Sequence, residues 1–204
     1  MSIAVFLAIL IIMAAASFFA TAVNKKAGGF ATVAVSLFAL AVILSMKGSV
    51  GKEQSFMYLN FSITTVGWYF SVVMLTAYSM TSFFNPFWMK KMIYPAGYNF
   101  LYLISMAGTI GMFLAGDFIT LFIFWETVVW ASAFIIQQGK SRKASYVYYV
   151  LSAIGSMATL FAIMLAYSVS GTFVIKDAFA GLAGSPGTAV VVFLAFILSG
   201  LSKM

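Results

Sequence analysis

The sequence predicts an all-α integral membrane protein of about seven transmembrane helices, and three observations carry that expectation. Of 204 residues, 64% are hydrophobic and only 7% charged, whereas a soluble domain carries about 25% charged residues. Mean hydropathy is +1.09. The apolar residues fall in continuous runs of span length, not in the alternating segments of about ten residues that build a transmembrane β-barrel. Surrounded by lipid, each run satisfies its backbone polar groups only by coiling into a helix.

The first run, Ile3 to Val23, has no basic segment before it and no cleavage site after it, so it reads as a retained helix and not a signal peptide. The second covers Gly29 to Met46. Between Ser55 and Thr65, Met57, Leu59, Phe61 and Ile63 alternate with Tyr58, Asn60, Ser62 and Thr64, a period of two that predicts a short strand or hairpin at the membrane surface. Val66 to Phe84, Gly97 to Ala115, Phe118 to Gln137 and Ser145 to Ser168 follow as spans three to six. Each approaches the roughly 20 residues that a bilayer core about 30 Å thick requires.

The seventh run, from Ala189 to Met204, holds 16 residues, about 24 Å of helix at 1.5 Å per residue. That is short of a full span, so the expectation is a sequence that stops inside a helix, as a fragment or the product of a split gene.

Lysine and arginine are distributed unequally between the loops. Lys25, Lys26, Lys90, Lys91, Lys140, Arg142 and Lys143 follow spans one, three and five, against Lys47, Lys52 and Lys176 on the other side. The positive-inside rule then puts the N-terminus outside, in a multi-pass protein of the cell membrane. Scattered in ones, twos and threes between apolar runs, the positive charges set topology and leave no footprint for a nucleic acid.

With no Cys and no His, the chain offers no thiolate or imidazole to a metal, haem or iron–sulfur centre, and no imidazole to shuttle protons near neutral pH. A phosphate-binding glycine loop, a Ser-His-Asp set and metal-ligand spacing are all missing from the sequence. No cofactor is expected, and the chain is not expected to be catalytic alone. Proton chemistry falls to carboxylates, lysines, hydroxyls and water.

Glu126 is the most informative residue. It lies mid-span among Phe122, Ile123, Val129 and Trp130, and a carboxylate at the bilayer centre costs about 3 kcal/mol, so it should face a partner or internal water. It reads as a relay that takes up and releases a proton or coordinates a cation; the plainer alternative is a glutamate hydrogen-bonded for packing specificity. Lys203 is the one basic residue inside an apolar run, either a charge partner for a carboxylate or a lysine snorkelling to the interface. Asp117, in the turn before span five, is placed to cap that helix or to assist ion uptake. Ser152, Ser156 and Thr159 on span six could hold water between charges, although small residues at this spacing also serve close helix packing. Lys143, near the start of span six, is a candidate for lining an ion path.

These motifs resemble the antiporter-like subunits shared by respiratory complex I, the Mrp-type cation/proton antiporters and the membrane-bound energy-converting hydrogenases and sulfane reductases. The resemblance runs from about Phe61 and rests on Gly108 to Ile136, with its Gly-Asp turn followed by Phe-Trp-Glu, on Lys143 to Thr172, and on the Gly-Leu-Ser-Lys ending. It implies that Glu126 is the family's fifth-helix glutamate and Lys203 its seventh-helix lysine, the pair that gates proton movement. It also implies an N-terminus outside, and two inverted repeats of five helices whose broken helices line a cavity. This chain would be the N-terminal half of such a fold with the first repeat incomplete.

The expected organisation is 1–96, helices one to three with the surface hairpin, and 97–204, helices four to seven, holding most of the first half-channel. The expected function is translocation of H+ or Na+ within a multisubunit redox-driven or Mrp-type complex in a prokaryotic plasma membrane, with other membrane subunits and the bilayer as partners. A non-conducting scaffold subunit is the alternative.

Overall fold

A computed structural model describes residues 2–88, 92, 94–139 and 142–202; Lys90, Lys91, Lys140 and Lys203 lie outside the described residues. Helix α1, Ile3–Val23, begins where the Ser2 hydroxyl accepts the amide of Val5. It ends at Asn24, whose side chain accepts the amides of Lys26 and Ala27 and so starts α2, Lys25–Ser45. One asparagine thus terminates one helix and caps the next. This cap starts the second helix four residues ahead of the apolar run, because Lys25 and Lys26 enter the first turn. A 3-10 turn over Met46–Ser49 leads to the hairpin, β1 Glu53–Phe56 and β2 Leu59–Ser62, paired antiparallel with Glu53 opposite Ser62.

Thr64 caps α3, Thr65–Ser82, and the short α4, Asn85–Trp88, follows. Then come α5 Pro95–Phe113, α6 Phe118–Gln137, α7 Arg142–Ser170, α8 Ile175–Leu182 and α9 Pro186–Leu201. Among the described residues, α1, α2, α6 and α7 are long and apolar enough to cross a membrane; α9 is apolar but shorter. α3 and α5 have the length, yet Tyr, Ser, Thr and Asn99 dilute their apolar content. Among the described residues, each apolar run thus overlaps a helix, and four of these helices meet the length and hydropathy of a membrane span. The α4 and α8 helices are additions that the apolar runs did not signal.

Two clusters of buried side chains organise the bundle. The first joins Ile3, Phe6 and Leu10 of α1, Val35 and Ala39 of α2, Leu75 of α3, and Leu103, Met106 and Ile110 of α5. The second joins Phe118 of α6, Ala162 and Ala166 of α7, Ala178 and Leu182 of α8, and Val192 of α9. Because lipid is as apolar as leucine, helices in a bilayer associate through close packing and interhelical hydrogen bonds. The buried polar residues follow that rule: Ser17 meets Thr32 at 3.3 Å, Ser36 meets Ser82 at 2.8 Å, and Asn99 donates to Thr21 at 2.8 Å.

The hairpin is stitched to the second half of the chain. Gly116 donates to the Asn60 carbonyl at 2.8 Å and Ser62 to the Leu114 carbonyl at 2.9 Å, while Phe118 donates to the Phe173 carbonyl at 2.9 Å. The turn between α5 and α6 is thereby clasped on one side by β2 and on the other by the segment before α8.

Candidate functional site

Glu126 lies at the ninth position of α6 and is half-buried. The helix reaches it unbroken because Asp117 caps the N-terminus and no glycine or proline interrupts Phe118–Gln137. Facing it is α7, whose Ser152, Gly155, Ser156 and Thr159 recur at helical spacing and form one buried strip. Ser156 donates its hydroxyl to Oε1 of Glu126. A carboxylate inside an apolar bundle needs such a donor, since an unpaired charge there is the costliest arrangement available.

The strip continues to α9. Thr159 and Ser199 approach to 2.5 Å between hydroxyl oxygens, and Ser202 donates to the Ser199 carbonyl at 2.7 Å. Thr159 also donates to the Gly155 carbonyl at 3.1 Å. When its single proton is used there, Ser199 becomes the donor to Thr159. Gly155 allows the approach: a β-carbon at that position would overlap the Ser202 side chain and lie 3.1 Å from the Ser199 carbonyl. Glu126, Ser156, Thr159 and Ser199 thus line a seam shared by three helices, with a cleft of about 250 Å³ beside it, lined by Trp125, Val128, Val129, Tyr148 and Gly200.

Of the residues expected at the site, Glu126, Ser156 and Thr159 come together. Ser152 lies one turn along on the same buried face. Lys143 is exposed in the first turn of α7, thirteen residues from Ser156 and so about 20 Å along the helix. Asp117 is buried at the other end, nine residues and about 14 Å along α6 from Glu126. Its carboxylate accepts the Thr120 amide at 2.7 Å, the Thr120 hydroxyl at 2.9 Å and the Asn60 amide at 3.0 Å. Lys203 lies outside the described residues. Ser199 is the addition that sequence reasoning missed; its spacing to Ser202 was visible, but not which face of α9 meets α7.

Chemically, the seam offers a carboxylate that can hold or release a proton, hydroxyls that both donate and accept, and oxygen ligands for a hard cation.

The sequence profile of a transmembrane family, NADH:quinone oxidoreductase/Mrp antiporter, matches residues 115–204, the stretch that holds this seam. Subunit M of an F(420)H(2) dehydrogenase from Methanosarcina mazei is 28% identical over 167 residues, covering 75% of this chain and 34% of that protein. Subunit N of an NADH-quinone oxidoreductase from Moorella thermoacetica is 28% identical over 182 residues, covering 85% of this chain and 37% of that protein. In fold, a chain of the Mrp complex from a Dietzia species superposes with a TM-score of 0.87 at 18% identity, covering 100% of this chain and 24% of that one. The chain spans about a third of the length of these curated relatives.

Proposed function

We propose, on the premise that through residues 115–204 this chain belongs to the NADH:quinone oxidoreductase/Mrp antiporter family of multi-pass membrane subunits, that it carries part of an ion path in which Glu126 is the protonatable relay. The observation that carries this reading is the hydroxyl of Ser156 on the Glu126 carboxylate in the middle of an apolar helix. The Thr159–Ser199 pair lies one turn further along the same face.

A carboxylate that must change its protonation state needs neighbours that adapt to both states. Hydroxyl groups do so, because each can rotate from donating to the carboxylate to accepting from the carboxylic acid. Ser156 serves Glu126 directly, Thr159 and Ser199 extend the hydroxyl line towards α9, and Ser152 flanks it. Lys203 would be the electrostatic partner of Glu126. Lys143 would guide ions at the far end of α7, and Asp117 would hold the opposite end of α6. In this reading the working half is 97–204, and 1–96 supports it.

The transported ion is H+ or Na+, since carboxylate and hydroxyl oxygens serve either. The setting is a multisubunit assembly in a prokaryotic plasma membrane, with the N-terminus outside, and any redox reaction belongs to companion subunits. Glu126→Gln in the native complex, reconstituted into vesicles, is expected to abolish coupled ion transport while leaving assembly intact. Wild-type pumping by that variant would sink the proposal.

The scaffold reading draws on the same hydrogen bond, because Ser156 bound to Glu126 also fixes α6 against α7. Comparing Glu126→Gln with Glu126→Leu separates the two. A scaffold tolerates Gln in transport and fails only where Leu impairs assembly.

A further inference from the structure

We propose that the cleft between the hairpin and α8, which carries a charge of each sign, together with the apolar groove beneath α8, binds one glycerophospholipid carrying an amine headgroup. The cleft, about 570 Å³, is lined by Glu53, Asn60, Ser62 and Lys176, and the groove, about 420 Å³, by Phe118, Phe179, Phe193 and Phe196. Ile175 lines both, so the two adjoin at the start of α8. Each lies within the size range of small-molecule sites, roughly 300–1,000 Å³.

The helix between them is amphipathic. Ile175, Ala178, Phe179 and Leu182 recur every three or four residues, with Ala178 and Leu182 buried, whereas Lys176 and Asp177 are exposed. A short helix so divided lies along the membrane surface, apolar face towards the acyl region and charged face towards the headgroups. The site therefore presents Glu53 and Lys176 on the water side and phenyl rings on the other.

No single water-soluble ligand suits both ends. Four phenyl rings give an ion or a metabolite no hydrogen bond, and a plain hydrocarbon leaves the charges of the cleft unused. A phospholipid matches both. Lys176 complements its phosphate and Glu53 its ammonium, two opposite charges facing one cleft, while Asn60 and Ser62 offer hydrogen bonds to ester oxygens and the acyl chain fills the groove. The inference stands apart from the ion path, sharing none of its residues.

The test uses the native membrane assembly, reincorporated into vesicles containing phosphatidylethanolamine with a photoactivatable diazirine on one acyl chain. Illumination is expected to attach lipid to peptides carrying Phe179, Phe193 or Phe196. The yield there should fall severalfold in Lys176→Glu and in Glu53→Lys, and persist in Lys176→Arg. Both altered residues are exposed on this chain, so its fold is expected to tolerate the changes. Labelling equally strong at Met157 and Phe161 on the outer face of α7, and unmoved by the charge reversals, would overturn the proposal. So would a polypeptide segment filling the groove in a cryo-EM map of the assembly.

Discussion

Thr159 of α7 and Ser199 of α9 bring their hydroxyl oxygens to 2.5 Å, both fully or almost fully buried, at the crossing that Gly155 permits. Three residues separate Thr159 from Ser156 on the same helix face, so the pair lies about 4.5 Å along the axis from the hydroxyl that holds Glu126. If protons pass along this seam, Ser199→Ala slows translocation severalfold in reconstituted vesicles. It leaves Thr159 its bond to the Gly155 carbonyl, so thermal stability changes by only about 1 kcal/mol. A lowered melting temperature with an unchanged rate would mark the pair as structural only.

Ser156 makes a sharper case, because its partner is a carboxylate. Ser156→Ala strips the half-buried Glu126 of that donor, and a hydrogen bond to a charged group is worth about 1.5–3 kcal/mol. Transport through Glu126 is therefore expected to slow severalfold. Ser156→Thr, which keeps the hydroxyl, is expected to retain the wild-type rate. Transport rates measured in both variants check this, and identical rates in Ser156→Ala and wild type would remove Ser156 from the relay.

Gly155 lets α7 and α9 approach closely. A methyl group there meets the Ser202 side chain and the Ser199 carbonyl, and overpacking of this kind costs typically about 1–3 kcal/mol. Gly155→Val is expected to lower the melting temperature of the assembly and to push α9 away, breaking the Thr159–Ser199 contact. Gly187, where a β-carbon would meet nothing within 4 Å, supplies the control: Gly187→Ala should leave both stability and transport as they are. Detergent-solubilised melting curves of the two variants make the comparison.

Much of this was legible in the apolar pattern, and what was not has identifiable causes. Period-two alternation from Ser55 onwards announced the hairpin, and the pairing of Glu53 to Ser62 realises it, since turn and strand signals are local. A carboxylate stranded among Phe122, Ile123, Val129 and Trp130 announced Glu126 for the same reason: its cost in lipid can be read without knowing its neighbours in space. Ser199 could not be found that way. A serine in a membrane helix is cheap, its hydroxyl readily bonding a carbonyl one turn back, so its presence carries no demand for a partner; only the packing of α9 on α7 gives it one. The α8 helix escaped because eight residues mixing Lys176 and Asp177 with Ile175 and Phe179 form no apolar run, and its amphipathic face has meaning only beside α6 and α9.

Asp117 tests whether a buried carboxylate in this fold is a fastener or a waypoint. It accepts from Thr120 twice and from the Asn60 amide across to the hairpin, so it caps α6 and ties β2 to that cap at once. Capping alone is worth about 0.5–2 kcal/mol. Asp117→Ala is therefore expected to lower the melting temperature and to speed amide exchange at Asn60 and Ser62, while the centre of α6 stays protected. Asp117→Asn keeps an oxygen to accept the Thr120 amide but loses the charge, and as a fastener it should lie near wild type in both measurements and in transport. If Asp117→Asn instead retains stability and halts coupled transport, the charge itself matters, and the carboxylate belongs to the route by which ions reach Glu126.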